Sequence, residues 1–335
     1  MTIRELAELA QVSPATVSLV LNNKKGVAEE TRKRVLELIA EHNYPIPQRG
    51  TPKSVPVNNN ILFLKYMQDG MVVEENTGFI SSIMESIEVN CRKEGYHLNI
   101  LHSINQLDET LREIEYDNFS GVIVLGTELD SGDYEYLNQI PIPYVILDNS
   151  MTNFKCHSVV MDNRALVYEA IEHFADLGFR EVAYFKSNNA IHNFEERSQA
   201  FKEAAEHFNI SCKKENEFLI TPTLLGAYES MKTYLQQGIK IAPCAFADND
   251  IIAIGVMKAL QEYGIRVPED VSIIGVDDIQ FSAIHSPSLS TMSIPKKLMG
   301  KLALKVLLEV MEDPTISSIK TYVGGEKIIR ESVLS

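Results

Sequence analysis

Residues 247–278 read ADNDIIAIGVMKALQEYGIRVPEDVSIIGVDD and contain the pattern that decides the fold of this chain. An apolar strand ends at Asp248, and the apolar helical stretch after it ends at Gly264, the residue type expected just beyond a helix. A second apolar strand, VSIIGVDD, then follows over 271–278. Apolar strands that alternate with helices are typical of parallel sheets covered by helices on both faces. The stretch therefore predicts an α/β fold.

The same alternation continues outward through residues 61–335. Helical stretches end at Gly95, Gly178 and Gly238 in the same way. A body of roughly 275 residues is too long for one sheet of this kind, so we expect two similar lobes with parallel sheets. The predicted strands are ILFLKY (61–66), HLNILHS (97–103), GVIVLGT (121–127), YVILDN (144–149), EVAYFKS (181–187), EFLI (217–220), CAFAD (244–248) and VSIIGVDD (271–278).

Polar residues gather where three of these strands end. Parallel strands bring their carboxyl ends to one edge of a sheet, and ligands of open α/β sheets bind at that edge. A single carboxylate or amide there more often caps the following helix. Three strands that end alike, with an arginine at the same edge, instead favour a polar ligand pocket between the lobes. The residues concerned are Asp148, Asn149, Asp248, Asn249, Asp277, Asp278 and Arg197.

Residues 1–44 have another pattern, that of three short helices. Thr2 and Glu5 form a capping box at the start of the first helix, which runs to about Ala10. Ser13 is a good N-cap and Pro14 a good first residue for the second helix, and a third is expected over 29–42. A tight turn between the first two helices makes a helix-turn-helix. The residues expected to be buried are Ile3, Leu6, Ala7, Leu9 or Ala10, Val17, Val20, Leu21, Val35, Leu36 and Ile39.

The charge of the chain is divided unevenly. The formal net charge is −15, yet residues 1–55 carry eight Lys or Arg against six Glu, so this part has +2 and the remainder −17. A mildly basic N-terminal head attached to a strongly acidic body indicates that nucleic acid would contact the head alone. Residues 45–60 are rich in Pro, Asn and Gly, which indicates a linker between a domain at 1–44 and a body at 61–335.

The head closely resembles the DNA-binding domain of the LacI/GalR family of bacterial repressors. The similarity covers TIRELAELAQVSPATVSLVLNNKKGVAEETRKRVLELIAEHNY without a gap. The resemblance implies that Pro14 and Ala15 lie over base edges in the major groove. It also implies a set of phosphate contacts. These are expected from Thr2, Ser13, Thr16, Ser18 and Asn22.

The head departs from the family pattern at three positions. Gln11 stands where the family usually has a glycine in the turn, and Ala28 where it has a polar N-cap. Leu19 occupies a position that commonly carries arginine. A leucine there either contacts apolar groups of the bases, such as a thymine methyl, or turns inward and packs against the third helix.

The linker also departs from the family, which usually forms a hinge helix there with a leucine wedged into the minor groove. Gly50, Pro52 and Pro56 oppose a helix, and the wedge leucine is missing. The alternatives are therefore a flexible tether or a folding hinge. In either case Arg49 and Lys53 could hold phosphates.

The body resembles the family too, and on its own is similar to periplasmic sugar-binding proteins. Family effectors are mostly sugars and in some members purines. The resemblance implies that Asp148, Arg197, Asn249 and Asp277 hold the effector. Because the chain has no tryptophan, the aromatic side chain that stacks on a sugar must be a Tyr or Phe, and Phe79 is the candidate. The alternative is that Phe79 packs in the core. Lys296 is expected to be a solvated lysine at a helix start, with a contact to an anionic effector as the alternative.

Other classes find little support in the sequence. There is no apolar run of about 18 residues for a membrane span and no secretory signal. The four cysteines have no metal-binding spacing, and the common nucleotide, hydrolase and zinc motifs are missing, so we expect neither an enzyme nor a cofactor. The sequence predicts a cytoplasmic regulator that binds a palindromic operator as a homodimer without a heptad tail. The alternative is a sugar-binding protein without an operator role.

Overall fold

The computed structural model describes residues 3–21, 27–41 and 58–334. The chain divides into two compact units, Met1–Pro56 and Val57–Ser335. We call them the head and the body. The predicted linker lies largely outside the described residues. The body begins slightly before the predicted boundary at 61, because Asn60 opens the first strand and the Asn58 side chain donates to the Asp117 carbonyl at 2.8 Å.

The described residues of the head form three helices around a small apolar core. They are α1 (Ile3–Leu9), α2 (Pro14–Leu21) and α3 (Glu29–Glu41). Gln11, in the turn between α1 and α2, has a φ of +51°, the left-handed conformation that glycine adopts at least cost. The buried core residues are Leu6, Ala7, Ala10, Val17, Val20, Val35 and Ile39.

Two residues expected in that core are exposed instead. Leu9 is 52% exposed and Leu36 is 45% exposed. On α3, Val35 and Ile39 are four residues apart and share the inner face, so Leu36 is turned about 100° away from it. The prediction for Leu36 was wrong, and for the first helix Ala10 is the core residue.

The body has two α/β lobes, as predicted. In lobe 1 the strands are β1 (Asn60–Met67), β2 (His97–Ile104), β3 (Gly121–Leu125), β4 (Tyr144–Leu147), β5 (Ser158–Met161) and β11 (Lys320–Val323). In lobe 2 they are β6 (Ala183–Ser187), β7 (Glu217–Ile220), β8 (Cys244–Ala247), β9 (Ser272–Asp277), β10 (Ser290–Ser293) and β12 (Glu326–Ile328). The sheet of lobe 1 is wholly parallel, in the order β11-β5-β4-β3-β1-β2. The sheet of lobe 2 has the order β12-β10-β9-β8-β6-β7, with only β12 antiparallel to its neighbour.

Helices cover both faces of each sheet. Lobe 1 has α4 (Thr77–Lys93) and α11 (Lys296–Glu312) packed together on one face and α5 (Leu107–Glu113) on the other. Lobe 2 has α6 (Asn163–Asp176) and α7 (His192–His207) on one face, α8 (Leu224–Gln236) and α9 (Asp250–Glu262) on the other, and the short α10 (Gln280–Ile284). The predicted terminal glycines all have positive φ, which confirms that they end helices.

The chain crosses between the lobes three times. It passes from lobe 1 to lobe 2 after β5, returns after β10, and passes over again after β11. Lobe 1 is therefore built from 58–161 and 296–323, and lobe 2 from 163–293 and 326–334. All eight predicted strands are present, whereas β5, β10, β11 and β12 were not predicted.

Candidate functional site

A small cavity lies between the lobes, at the carboxyl ends of their strands. Its volume is about 20 Å³, room for roughly one water molecule. This edge is where open α/β sheets bind ligands. The cavity is lined by all five residues predicted to hold the effector, which are Phe79, Asp148, Arg197, Asn249 and Asp277.

Arg197 is a buried cation in the cavity wall. It lies on α7 and is 2% exposed. Its Nε donates to Asn163 Oδ1 at 2.8 Å, and its Nη1 donates to the main-chain carbonyl of Asp248. Its Nη2 lies 3.9 Å from Asp277 Oδ1. The guanidinium is thus held in one orientation, from which it offsets the negative charge of Asp277 and can donate to a ligand oxygen.

Asp148, which follows β4, is a fully buried carboxyl. Thr127 donates to its Oδ2 at 2.6 Å, and Asn193 of lobe 2 donates to its Oδ1 at 3.1 Å. Burial raises the pKa of Asp148 to about 7, against the effect of these hydrogen bonds and of the Arg197 charge. Near neutral pH this group therefore exists both as a hydrogen-bond acceptor and as a protonated donor.

Asp277, the last residue of β9, is the corresponding carboxyl of lobe 2. Asn76 of lobe 1 donates to its Oδ2 at 2.8 Å. Burial raises its pKa, and the charges of Arg197 and Lys296 act in the opposite direction. Asp148 and Asp277 have φ of +68° and +116°. Positive φ is uncommon outside glycine and clusters at functional sites, so both strand ends carry a backbone feature typical of a ligand site.

The two polar residues that follow the third strand, β8, mainly make hydrogen bonds that stabilise the fold. Asn249 accepts from the Ile252 amide at 2.9 Å and so caps α9, although it also lines the cavity. Asp248 does not line the cavity: it accepts from the Tyr184 hydroxyl and from the Ser187 amide. Burial raises the pKa of Asp248 to about 6. Asn249 thus caps a helix, which was the alternative to a ligand site for a strand-end residue, and Asp248 is held by hydrogen bonds from within lobe 2.

Phe79 packs in the core of lobe 1, which was the alternative, and its role as a stacking face stays a prediction. It is 2% exposed, belongs to the core of lobe 1 and also lines the cavity. The Lys296 ammonium lies 5.8 Å from the centre of its ring. The prediction that Lys296 is a solvated lysine was wrong. Its Nζ donates to the main-chain carbonyls of Asp277 and Asp278, which places a second cation beside the cavity.

Three polar residues of the cavity were not found in the sequence. They are Asn76, Thr127 and Asn193. Asn76 precedes α4 and Asn193 lies in the first turn of α7, so in the sequence both resemble helix-start residues. The signal that could have found Thr127 is its place two residues after β3, at the same sheet edge as the predicted residues.

A buried carboxylate organises the loop that forms one side of the cavity. Glu128 is 3% exposed, and its two oxygens accept five main-chain N–H groups from the loop 68–73. Val72 and Val73 of this loop line the cavity. The distances are 2.8, 3.3 and 3.0 Å from Gln68, Asp69 and Gly70 to Oε2, and 3.0 and 2.9 Å from Val72 and Val73 to Oε1.

Of the predicted DNA-contacting residues, those that the structure describes lie in α2 or directly before it. Ser13 is exposed, and its hydroxyl accepts from the Thr16 amide at 3.1 Å, so it caps the helix as predicted. Pro14 is exposed, and Leu19 is half-buried and does not belong to the buried core cluster of the head's described residues. Ala15 and Ser18 lie within α2. Thr2 and Asn22 are outside the described residues.

Two other kinds of feature are absent from the described residues. None of their helices is long and apolar enough to cross a membrane. Among residues 3–21, 27–41 and 58–334, no group of three or more His, Cys, Asp or Glu side chains is arranged to hold a metal ion.

Comparison with known proteins identifies both units. The sequence pattern described as "Bacterial regulatory proteins, lacI family" matches residues 2–47, and that described as "Periplasmic binding protein-like domain" matches 171–333. The chain is 28% identical over 342 residues to the ribose operon repressor of Haemophilus influenzae, with 100% of this chain and 99% of the relative covered. It is 31% identical over 338 residues to the HTH-type transcriptional repressor PurR of Aliivibrio salmonicida, with coverage of 99% and 98%.

The fold agrees with that of a solved relative over the whole chain. The lac repressor dimer bound to operator and the anti-inducer ONPF superposes with a TM-score of 0.73 and 21% identity, covering 100% of this chain and 99% of that one. The full-length match to named repressors, together with the match of the head, decides the assignment. The chain belongs to the lacI family of bacterial regulatory proteins, which are DNA-binding transcriptional repressors and not enzymes.

Proposed function

We propose that this regulator represses carbohydrate-utilisation genes, and that a sugar or sugar derivative controls its affinity for DNA by binding between the lobes, which must move apart to admit a molecule larger than water. The observation that carries the proposal is the cavity wall, where carboxylates of both lobes lie beside a fixed guanidinium and several amides. These groups can make paired hydrogen bonds with adjacent hydroxyls. The similarity to a ribose operon repressor supports the carbohydrate class. Such a protein acts on the chromosome, so we place it in the cytoplasm.

The proposed effector site is tested by a thermal-shift screen, because a ligand that binds the folded state raises its stability. The compounds are neutral sugars, sugar phosphates and purine bases. Arg197→Ala and Asp277→Ala should each weaken binding of a compound found this way by more than about 2 kcal/mol, since charged hydrogen bonds are lost.

The matched control is Arg266→Ala, because Arg266 is an exposed arginine that pairs with Asp270 on the surface of lobe 2. It should leave affinity unchanged in calorimetry. Unchanged affinity in both cavity variants would remove Arg197 and Asp277 from the effector site.

For the DNA we propose a palindromic operator read by two heads of a homodimer. In each head α2 would lie in the major groove, with Pro14, Ala15 and Leu19 over base edges. These three side chains have no hydrogen-bond donors, so the half-site should be read through thymine methyl groups and shape. The phosphate contacts would come from Thr2, Ser13, Thr16, Ser18 and Asn22.

Leu19→Arg tests this arrangement. If Leu19 faces the bases, the variant should shift preference toward guanine at one base pair by roughly 1–3 kcal/mol and tighten non-specific binding. If Leu19 packs inward, the variant should melt at a lower temperature and lose affinity for all sequences alike. Operator selection from a random pool with both proteins distinguishes the two, and identical selected sites would exclude base reading by Leu19.

The homodimer is supported by apolar side chains exposed on the body. Phe281 and Ile284 are 62% and 74% exposed, and they lie three residues apart on one face of α10. Large apolar side chains in such positions are typical of an association surface, and a two-fold dimer would bring the same patch of two chains together. Ile284→Glu should raise the dimer dissociation constant in sedimentation experiments, and an unchanged constant would place the interface elsewhere.

The alternative function is binding of a sugar without an operator role. A shortened chain that starts at Asn58 separates the two possibilities. We expect it to fold and to bind effector but not operator DNA, whereas the full chain binds both. Specific operator binding by the shortened chain would contradict the proposed division of labour. A full chain that selects no DNA sequence would favour the alternative.

A further inference from the structure

Two asparagine side chains cross the cleft in opposite directions. Asn76 of lobe 1 donates to Asp277 of lobe 2 at 2.8 Å, and Asn193 of lobe 2 donates to Asp148 of lobe 1 at 3.1 Å. The arrangement is reciprocal, because β4 and β9, which precede the two aspartates, hold equivalent places in the two sheets. Each lobe therefore holds the cavity carboxyl of the other with one amide N–H.

The two asparagines differ in what their carbonyl oxygens do. Asn193 Oδ1 accepts from Asn163 Nδ2 at 2.9 Å, so both ends of this side chain are used. Asn76 is only 8% exposed, yet its Oδ1 is buried and has no hydrogen-bond partner among the described residues. A buried acceptor that stays unpaired is costly, and in a native protein it calls for a specific explanation.

The position of Asn76 in the chain gives a second reason to assign its unpaired oxygen to ligand binding. The residue stands directly before α4, where asparagine is among the best capping residues, but its side chain makes no cap hydrogen bond. It lines the cavity instead. Its Nδ2 is bonded to Asp277 Oδ2, and the other carboxylate oxygen, Oδ1, lies 3.9 Å from Arg197 Nη2. Two residues of opposite lobes that are hydrogen-bonded to each other thus bring an acceptor each, Asn76 Oδ1 and Asp277 Oδ1, to the same cavity lining.

We propose that Asn76 determines effector specificity by accepting a hydrogen bond at Oδ1, beside the Asp277 carboxylate, from a ligand that carries two adjacent hydroxyl groups. This inference rests on the proposed sugar-binding function and adds the part of the sugar that is recognised, a vicinal diol. One hydroxyl donates to Asn76 of lobe 1 and its neighbour donates to Asp277 of lobe 2. The diol therefore joins the lobes, and a ligand without one of the hydroxyls leaves a buried acceptor unpaired.

The experiment is calorimetry on the full chain with D-ribose, D-glucose and D-galactose and with the 2-deoxy and 3-deoxy analogues of each. For a sugar that binds the wild type, we expect at least one deoxy analogue to bind at least about tenfold more weakly, the ratio for one buried polar group left unpaired. Asn76→Leu, which keeps the size of the side chain without its polar atoms, should bring this ratio close to one.

The matched control is Asn193→Leu, which breaks the reciprocal contact between the lobes but leaves Asn76 Oδ1 in place. It should weaken all the sugars while the ratio between sugar and deoxy analogue stays as in the wild type. Circular dichroism verifies that both variants fold, and Asn76→Ala replaces Asn76→Leu if the leucine variant does not.

The outcomes separate the two proposals. An undiminished ratio in the Asn76 variants, or equal loss of the ratio in the Asn193→Leu control, would overturn the assignment to Asn76 while leaving sugar binding intact. If none of the sugars binds the wild type, whereas a purine base does, the proposed effector class fails and the diol inference fails with it.

Discussion

Replacing Glu128 with glutamine should loosen one specific side of the cavity. The carboxylate accepts five main-chain N–H groups of residues 68–73 with its two oxygens. Glutamine has the same shape but one oxygen, so at least two of these buried donors would face an NH₂ group that cannot accept. At roughly 1 kcal/mol or more for each unpaired donor, the free energy of local opening should fall by at least about 2 kcal/mol.

Hydrogen exchange measured by mass spectrometry reads this loss directly. A fall of about 2 kcal/mol in opening free energy corresponds to exchange of the 68–73 amides that is roughly 30-fold faster. Since Val72 and Val73 of this loop line the cavity, effector affinity should fall as well. Peptides from lobe 2 should exchange as in the wild type.

The control is Glu74→Gln, which makes the same chemical change at an exposed position next to the loop. It should leave exchange of residues 68–73 unaltered. If Glu128→Gln also leaves these amides as protected as in the wild type, the carboxylate does not hold the loop, and the reasoning from its five hydrogen bonds is refuted.

Three other variants test separate parts of the structure. Gln11→Gly should stabilise the head by about 0.5–1 kcal/mol, because the φ of +51° favours glycine by more than glycine's extra chain entropy costs; faster exchange of the head amides would contradict this. Gly300→Ala should destabilise the body by about 1–3 kcal/mol, since a Cβ there would lie 2.6 Å from the Ile83 carbonyl oxygen, whereas Gly78→Ala, with nothing within 4 Å, should not; urea unfolding compares the two. Burial raises the pKa of Asp148 from 3.8 to about 7, so the contribution of this group to stability is complete below pH 4 and is lost as the pH rises to 7. Asp148→Asn should therefore flatten the pH dependence of the melting temperature between pH 4 and 7. An unchanged slope would contradict this prediction.

The sequence predicted those parts of the fold that depend on local pattern. Most of the eight predicted strands are apolar runs of the kind that parallel sheets bury, whereas β2 and β7 lie at sheet edges and are partly exposed. Four of the helices, α4, α6, α8 and α9, end at glycines with positive φ. The four strands that were not predicted have four residues or fewer, and β10, β11 and β12 are rich in Ser, Thr, Lys and Glu. Such short polar segments become strands because a neighbouring strand supplies their hydrogen bonds, which no local pattern reveals.

The residues of the candidate site likewise fall into those that a local sequence pattern predicts and those that depend on contacts distant in the chain. Asp148 and Asp277 could be predicted because each stands where a strand of its own lobe ends, and Arg197 because its helix follows a strand at the same edge of the lobe 2 sheet. Asn76 could not, because its partner Asp277 is 201 residues away in the chain and the contact exists only once the two lobes face each other. For Lys296 the sequence could not show the main-chain carbonyls of Asp277 and Asp278 that draw its ammonium inward.

The three crossings between the lobes have a consequence for how the protein is made. Lobe 1 lacks α11 until residue 312 has left the ribosome, although residues 58–161 emerge long before. Until then the apolar face of α4 that α11 covers, which includes Ile83 and Ile87, is open to other chains. Neither lobe is a contiguous stretch of the gene, so a shortened message cannot encode a complete one. Translation that stops anywhere before residue 296, where α11 begins, yields a body with an uncovered core, a substrate for chaperones and proteases.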